Sequence, residues 1–106
     1  MRVLAARKSE RLPLTADAVV RVVSGWSESA TLDDISAEGC SLTIKARFLE
    51  AGRVILLRME GLESLIGQVR WVNGRQAGIL FERPLHIAVV EHIAKSHPRV
   101  QCLRIA

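Results

Sequence analysis

The stretch Gly67-Gln68-Val69-Arg70-Trp71-Val72-Asn73-Gly74-Arg75-Gln76-Ala77-Gly78-Ile79-Leu80-Phe81 decides the fold. At its centre, Asn73-Gly74 is a hairpin signal. Both central residues of a type I′ turn need positive φ, and Asn-Gly supplies that at low cost. The turn predicts a strand ending at Trp71-Val72 and a return strand from Gln76 to Phe81. Gly67 and Gly78 lie inside these strands and predict bends, bulges or close backbone approach.

The same texture extends upstream. Ala18 to Val23 is short and β-branched and stops at Ser24-Gly25. Trp26 to Asp33 is a weaker strand. Cys40, Leu42 and Ile44 alternate with Ser41, Thr43 and Lys45, a period of two. Arg53 to Met59 is a dense apolar run, Glu60-Gly61 interrupts it, and Ser64 to Val72 follows. Six short strands at this spacing predict an all-β fold, a small six-stranded antiparallel barrel. Downstream, Pro84 opens the one helical pattern, a C-terminal α-helix with Ile87, Val90, Glu91 and Ala94 on one face and Leu85 and Ile93 nearby. Pro98 ends it, and the helix is expected to cap or pack on the barrel. The predicted organisation is a basic leader over 1–14, barrel and helix over 15–98, and a tail over 99–106.

At 106 residues the chain has the length of one domain, and its 49% hydrophobic content suffices for a packed core. No apolar run approaches the roughly 20 residues that span a bilayer. The start lacks the apolar region of a secretory signal. The expectation is a soluble, cytoplasmic protein. The two cysteines, Cys40 and Cys102, do not make a disulfide framework. Cys40 falls on the apolar parity of its strand and is expected in the core. Net charge is +4, carried by 15 lysines and arginines against 11 acids. Arginine dominates the basic set, which suits bidentate recognition of phosphates and purine edges.

Two clusters carry candidate chemistry. Arg7 and Arg11 form R-x-x-x-R in the leader. In a chain this rich in arginine about one such pair is expected by chance, so it says little alone. Asp34, Ser36 and Gly39 form D-x-S-x-x-G, for which chance supplies about 0.02 matches in such a chain. Its bland reading is a tight turn, because Asp and Ser bond nearby backbone N–H groups and Gly accepts positive φ. His86, His92 and His97 have no metal-binding spacing, since no pair stands at i, i+4. They read as surface or cap residues. No nucleophile elbow or serine–base pairing appears, so no catalytic or metal-ligating residue is nominated.

In this order, the motifs resemble those of the PilZ domain, a bacterial receptor module for cyclic di-GMP. Arg7 and Arg11 match its N-terminal R-x-x-x-R, and Asp34, Ser36 and Gly39 match its [D/N]-x-S-x-x-G. Gly67-Gln68-Val69-Arg70-Trp71 and Gly78-Ile79-Leu80-Phe81 look like its later G-x-V-x-W and G-h-x-F strands. The resemblance runs from about Arg7 to the helix near Ala94 and implies a six-stranded β-barrel with a C-terminal helix. It implies that Arg7 and Arg11 grip guanine O6 and N7, stack on a base, or bridge phosphates. Asp34 would accept from guanine N1–H and N2–H, Ser36 would bond a base amine or phosphate, and Gly39 would admit close backbone approach. Asp34 and Ser36 share parity, so an extended segment would turn both to the outer barrel surface. Lys8 would add positive potential, and Trp71 is either a core or barrel-end residue or a purine-stacking wall. Glu10, inside the arginine motif, either points away or pairs with Arg11.

The implied function is a sensor or adaptor that binds cyclic di-GMP, needs no cofactor, is not an enzyme and signals to a partner protein. The mechanism would be ordering of the leader on the barrel wall when ligand arrives. One alternative is a PilZ-like adaptor that binds no nucleotide. Another is a nucleic-acid-binding barrel, against which the scarcity of aromatics argues.

Overall fold

The structure is a computed structural model that describes residues 10–23, 25–45 and 49–99. Arg7, Lys8 and Cys102 lie outside the described residues. Six strands and one helix follow in order: β1 Leu12–Val22, β2 Ser27–Ile35, β3 Gly39–Ile44, β4 Val54–Met59, β5 Leu65–Asn73, β6 Gln76–Phe81 and α1 Ile87–Ser96. All strand pairings are antiparallel, and the sheet closes on itself in the order β1-β2-β3-β6-β5-β4. Closure leaves no unpaired edge, so every strand bonds on both sides.

Alternation fills the interior. Leu14, Val20, Leu32, Ile35, Leu42, Ile44, Ile55, Leu57 and Val69 are almost fully buried, joined by Cys40 from β3. Their intervening neighbours face out, as the period of two requires. The first strand starts at Leu12, earlier than the β-branched run from Ala18 suggests. Pro13 is admitted there because it lies beside a register shift between Pro13 and Ala16, a place where a missing N–H costs no regular ladder bond.

The hairpin forms, with a different turn. Asn73 pairs with Gln76, so Gly74 and Arg75 are the central residues. Gly74 has φ +64°, and no described non-glycine residue has positive φ. A single positive φ at the first central position is the type II′ pattern rather than I′.

The helix begins at Ile87, capped by His86, whose Nδ1 accepts from the Ala88 N–H at 3.0 Å. Pro84 therefore precedes the helix rather than opening it. Its buried face is Val90 and Ile93, with Val89 and Ala94 partly covered. Ile87 is 46% exposed and Glu91 faces solvent. The face is rotated from the expected one because burying the Glu91 carboxylate would require a partner. The helix packs on β1 and β2. Its exit is pinned by the Thr15 N–H, which donates to the His97 carbonyl at 3.0 Å.

Candidate functional site

Two register faults build the site. Between Leu32 and Asp34, β2 carries one residue more than β3, where Leu32 faces Leu42 and Asp34 faces Ser41. Leu32 is buried, and strict alternation would bury Asp34 as well. The extra residue reverses the parity, so Asp33 and Asp34 both turn to the outer wall. Between Val69 and Trp71, β5 carries the second fault against β6. Val69 is 1% exposed, whereas Trp71 is 45% exposed.

Register then puts these residues in one row. Asp34 faces Ser41 across β2–β3, Ser41 faces Gly78 across β3–β6, and Gly78 faces Trp71 across β6–β5. A Cβ on Gly78 would overlap the Trp71 indole at Nε1 and Cε2. The indole therefore lies flat over the Gly78 backbone, next to the strand that holds Ser41. The expected close approach at Gly78 is an aromatic ring over bare backbone. The wall from Asp34 to the indole spans roughly 10 Å, two strand spacings.

At the other end of the row, Arg11 meets Asp34. Arg11 Nη1 stands 2.5 Å from Asp34 Oδ1, across 23 positions of sequence. Asp34 is also held from β3: the Ser41 N–H donates to Oδ1 at 3.2 Å and the Ser41 hydroxyl donates to Oδ2 at 2.9 Å. The carboxylate is thus oriented before any ligand arrives. Glu10 is exposed, and the ion pair of Arg11 among the described residues is with Asp34. The side chains are 51% and 27% exposed, so this pair is worth about 0–1 kcal/mol. It is easily opened.

Asp33 is held in the same manner, accepting from the Thr43 hydroxyl at 2.8 Å. Arg99, beyond the helix, donates from Nη2 to the Asp33 carbonyl at 3.3 Å. Ser41, Thr43 and Arg99 were not singled out by the sequence motifs. The outward parity of Ser41 and Thr43 was visible in the alternation of β3. Their partners were not, because those depend on the fault in β2.

Ser36 and Gly39 sit elsewhere than an extended segment would put them. β2 ends at Ile35, and Ser36 is 4% exposed. Its N–H donates to the Gly39 carbonyl at 2.8 Å, and its hydroxyl lies 3.2 Å from both the Gly39 carbonyl and the Gly39 N–H. Ser36 thus staples the turn and does not share the outward side of Asp34. Gly39 does not use positive φ. A Cβ there would overlap the Ile79 carbonyl oxygen and sit 3.3 Å from Leu80 Cα. The glycine is required because β3 and β6 approach closely at that point.

Cys40 follows directly and points inward. Burial first, and then the Asp34 carboxylate, push its thiol from 9.0 up to about 12. It is a core residue, protonated at neutral pH. Among the described residues, no three His, Cys, Asp or Glu are grouped so as to hold a metal ion. No helix among them is long and apolar enough to cross a membrane.

A groove of about 500 Å³ lies away from this row, over Asp17, Val19, Ser29, Arg58 and Glu60. It mixes charges and touches none of the motif residues. The Arg11–Asp34–Trp71 row is an open wall rather than a pocket, suited to a ligand that is clamped from outside.

Fold and site together define a small all-β barrel that presents charged and aromatic groups on its outer wall. The chain belongs to the PilZ domain family, whose match covers residues 5–96. PilZ domains are in general receptors for cyclic di-GMP that act through partner proteins, and are not enzymes. Among solved structures, the fold is similar to the crystal structure of the PilZ domain of CeSA from a cellulose synthesizing bacterium. The TM-score is 0.60 at 18% identity, over 69% of this chain and 80% of that one. Among curated proteins, none matches.

Proposed function

We propose that this chain binds cyclic di-GMP on its outer wall through Arg7, Arg11, Asp34, Ser36 and Gly39, and passes the signal to a partner protein. One observation carries the reading: the statistically weak arginine motif and the informative D-x-S-x-x-G meet in the Arg11–Asp34 ion pair. A motif that is accidental in sequence has no reason to land on the other motif in space.

The chemistry follows from what each group can offer. Guanine presents N1–H and N2–H on one edge and O6 and N7 on another. Asp34, its oxygens aligned by Ser41, accepts from the first edge, an arrangement that adenine cannot match. Arg11, released from Asp34, turns to O6 and N7 or to a phosphate, where a planar guanidinium bonds in pairs. Opening the exposed Arg11–Asp34 pair costs at most about 1 kcal/mol, roughly a fivefold loss of affinity. Two anionic phosphates restore more than that. Arg7, four positions earlier in the sequence, supplies the second clamp, with Lys8 adding positive potential. Ser36 and Gly39 act by holding the turn that seats Asp34 beside β3. Trp71 gives a flat apolar face on which a purine stacks. Binding gathers the leader onto the wall, and the rearranged leader is what a partner reads. A receptor for an intracellular messenger works in the cytoplasm.

Isothermal titration calorimetry with cyclic di-GMP tests this on the wild type and on Arg7→Ala, Arg11→Ala and Asp34→Ala, with cyclic di-AMP as the control ligand. The wild type is expected to bind the guanine ligand only. Each variant loses roughly 10- to 100-fold, the value of a charge-assisted hydrogen bond. A wild-type chain that gives no heat and no rise in melting temperature with cyclic di-GMP is an adaptor that does not bind nucleotide.

A further inference from the structure

The wall centred on β4 is aliphatic where a barrel exterior is expected to be polar. Val23 is 83% exposed, Val54 48%, Ile66 47%, Val19 41% and Leu80 38%. Strand register makes them neighbours. Arg21, Leu56 and Ile66 stand side by side across β1, β4 and β5. Val54, Gln68 and Leu80 do the same across β4, β5 and β6. Val22 faces Ile55, which sets Val23 beside Val54. A groove of about 320 Å³ runs among Val23, Val54, Leu56 and Ile66, with Arg21 at its edge. Single exposed aliphatics are ordinary on a monomer, but a contiguous concave set marks an interaction surface.

We propose that this groove docks a protein partner that inserts an aliphatic ridge flanked by carboxylates. The charge on the face selects that partner. Arg21, Arg58 and Arg70 stand exposed on the same outer surface, and none of the three forms an ion pair among the described residues. Arg53, at the start of β4, differs: Glu50 matches it at 3.1 Å. Of the carboxylates around the face, Asp17 and Glu60 share the first groove with Arg58, and Glu82, whose N–H donates to the Ile66 carbonyl at 2.8 Å, stands just after β6 beside Ile66. Arg21 and Arg70 stand apart from these acids.

A second copy of the chain fits poorly, because a symmetric contact would bring the same arginines together. A lipid surface also fits poorly. The face is concave, uses arginine and no lysine, and carries no aromatic anchor within the groove. Because the barrel has no open edge, a partner has to use this side-chain surface and cannot add a strand.

The position matters for signalling. Asp34, on β2, is two strands from β4 by way of β1. The groove takes Arg21 to Val23 from one end of β1, whereas Asp34 faces Pro13 at the other end of that strand, so a partner held in the groove leaves the Arg11–Asp34 pair open. The inference uses none of the nucleotide-site residues and stands or falls separately from that reading.

The test is an NMR titration of the full chain, using backbone amide shifts. One probe is a synthetic helical peptide with a leucine ridge flanked by glutamates. The others are the same peptide with lysines for glutamates, and phosphatidylcholine vesicles containing phosphatidylglycerol. The acidic peptide is expected to shift Val19–Val23, Val54–Leu56 and Ile66–Arg70, and the basic peptide to bind at least about tenfold more weakly, the effect of opposed charge at an interface. Ile66→Asp should abolish the shifts. The triple exchange Arg21→Glu, Arg58→Glu, Arg70→Glu is confined to exposed positions and should reverse the preference toward the lysine peptide. The proposal is overturned if neither peptide shifts these residues or if both bind equally. It is also overturned if vesicles alone perturb them, or if they broaden with protein concentration in the absence of peptide.

Discussion

Replacing Gly39 by alanine separates two reasons for a glycine in D-x-S-x-x-G. If the turn needed a left-handed residue, the cost would be conformational. Gly39 is not in that region, whereas Gly25, Gly52, Gly61 and Gly74 are. At an ordinary φ, alanine gains about 0.4–1 kcal/mol by restricting the unfolded chain. The opposing effect is steric. The new methyl would overlap the Ile79 carbonyl oxygen, with the carbonyl carbon at 3.1 Å and Leu80 Cα at 3.3 Å. These are backbone atoms, so no rotamer change relieves the contact. β3 must move away from β6 where Gly39 faces Leu80 and Cys40 faces Ile79. That movement also loosens the 2.8 Å bond from the Phe81 N–H to the Glu38 carbonyl.

Overfilling a packed site costs about 1–3 kcal/mol, and a weakened ladder bond adds about 1 kcal/mol. Less the backbone gain, the net loss is about 2–3 kcal/mol. For a domain of this size that lowers the melting temperature by roughly 10–20 °C. Calorimetric or circular-dichroism melts read this directly. Gly74→Ala is the matched comparison: no atom lies within 4 Å of its Cβ, but φ is +64°. Its cost is about 1 kcal/mol, roughly 5 °C. A Gly39→Ala protein that melts within about 3 °C of wild type, or less damage there than at Gly74, would refute the steric argument.

Three further outcomes are expected. Ser41→Ala removes the 2.9 Å bond to Asp34 Oδ2, which should cost about 1 kcal/mol of stability and weaken cyclic di-GMP roughly 3- to 10-fold by calorimetry. Unchanged affinity would mean that β3 does not orient the carboxylate. In a Trp26→Phe background, Trp71 emission should be quenched by cyclic di-GMP, and Trp71→Ala should lose about 1–3 kcal/mol per stacked base; emission that ignores the ligand removes Trp71 from the site. In a Cys102→Ser chain, Cys40 should resist iodoacetamide at pH 8 until the protein unfolds, since its thiol is pushed up to about 12. The stability this neutral thiol contributes is complete below pH 9.0 and declines as pH rises from 9.0 toward 12. Rapid alkylation of the native protein would contradict that burial.

Strand alternation made most of the barrel legible. The period of two from Cys40 to Lys45 put Cys40, Leu42 and Ile44 inside, where they are. The Asn73-Gly74 pair located the last hairpin within one residue and missed its turn type, because register decides which residues are central. The helix face was misjudged by about one position, since apolar spacing alone does not register the cost of burying Glu91. Histidine roles came through better: His86 and His97 cap the two ends of α1. Motif matching named Asp34 but not Ser41 and Thr43, whose hydroxyls bind Asp34 and Asp33 from the next strand. Those partners depend on pairing between strands, which no local window of sequence contains.

The register faults show why the site needs a folded barrel to exist. By strict alternation Asp34 follows the buried Leu32, and Trp71 follows the buried Val69. A carboxylate and an indole N–H placed inside would each be an unpartnered polar group in an aliphatic core. One extra residue in β2 and one in β5 reverse both positions. The faults bracket the β3–β6 pair, so both re-aimed residues fall on the row that also contains Ser41 and Gly78. Gly78 must lack a side chain for the indole to lie down, and Gly39 must lack one for β3 to reach β6. The two glycines and the two faults are therefore one device. Without the faults the polar groups point inward; without Gly39 the strand pair between them cannot close, and without Gly78 the indole cannot lie over it. Arg11 reaches Asp34 only because that device has already turned the carboxylate toward the leader.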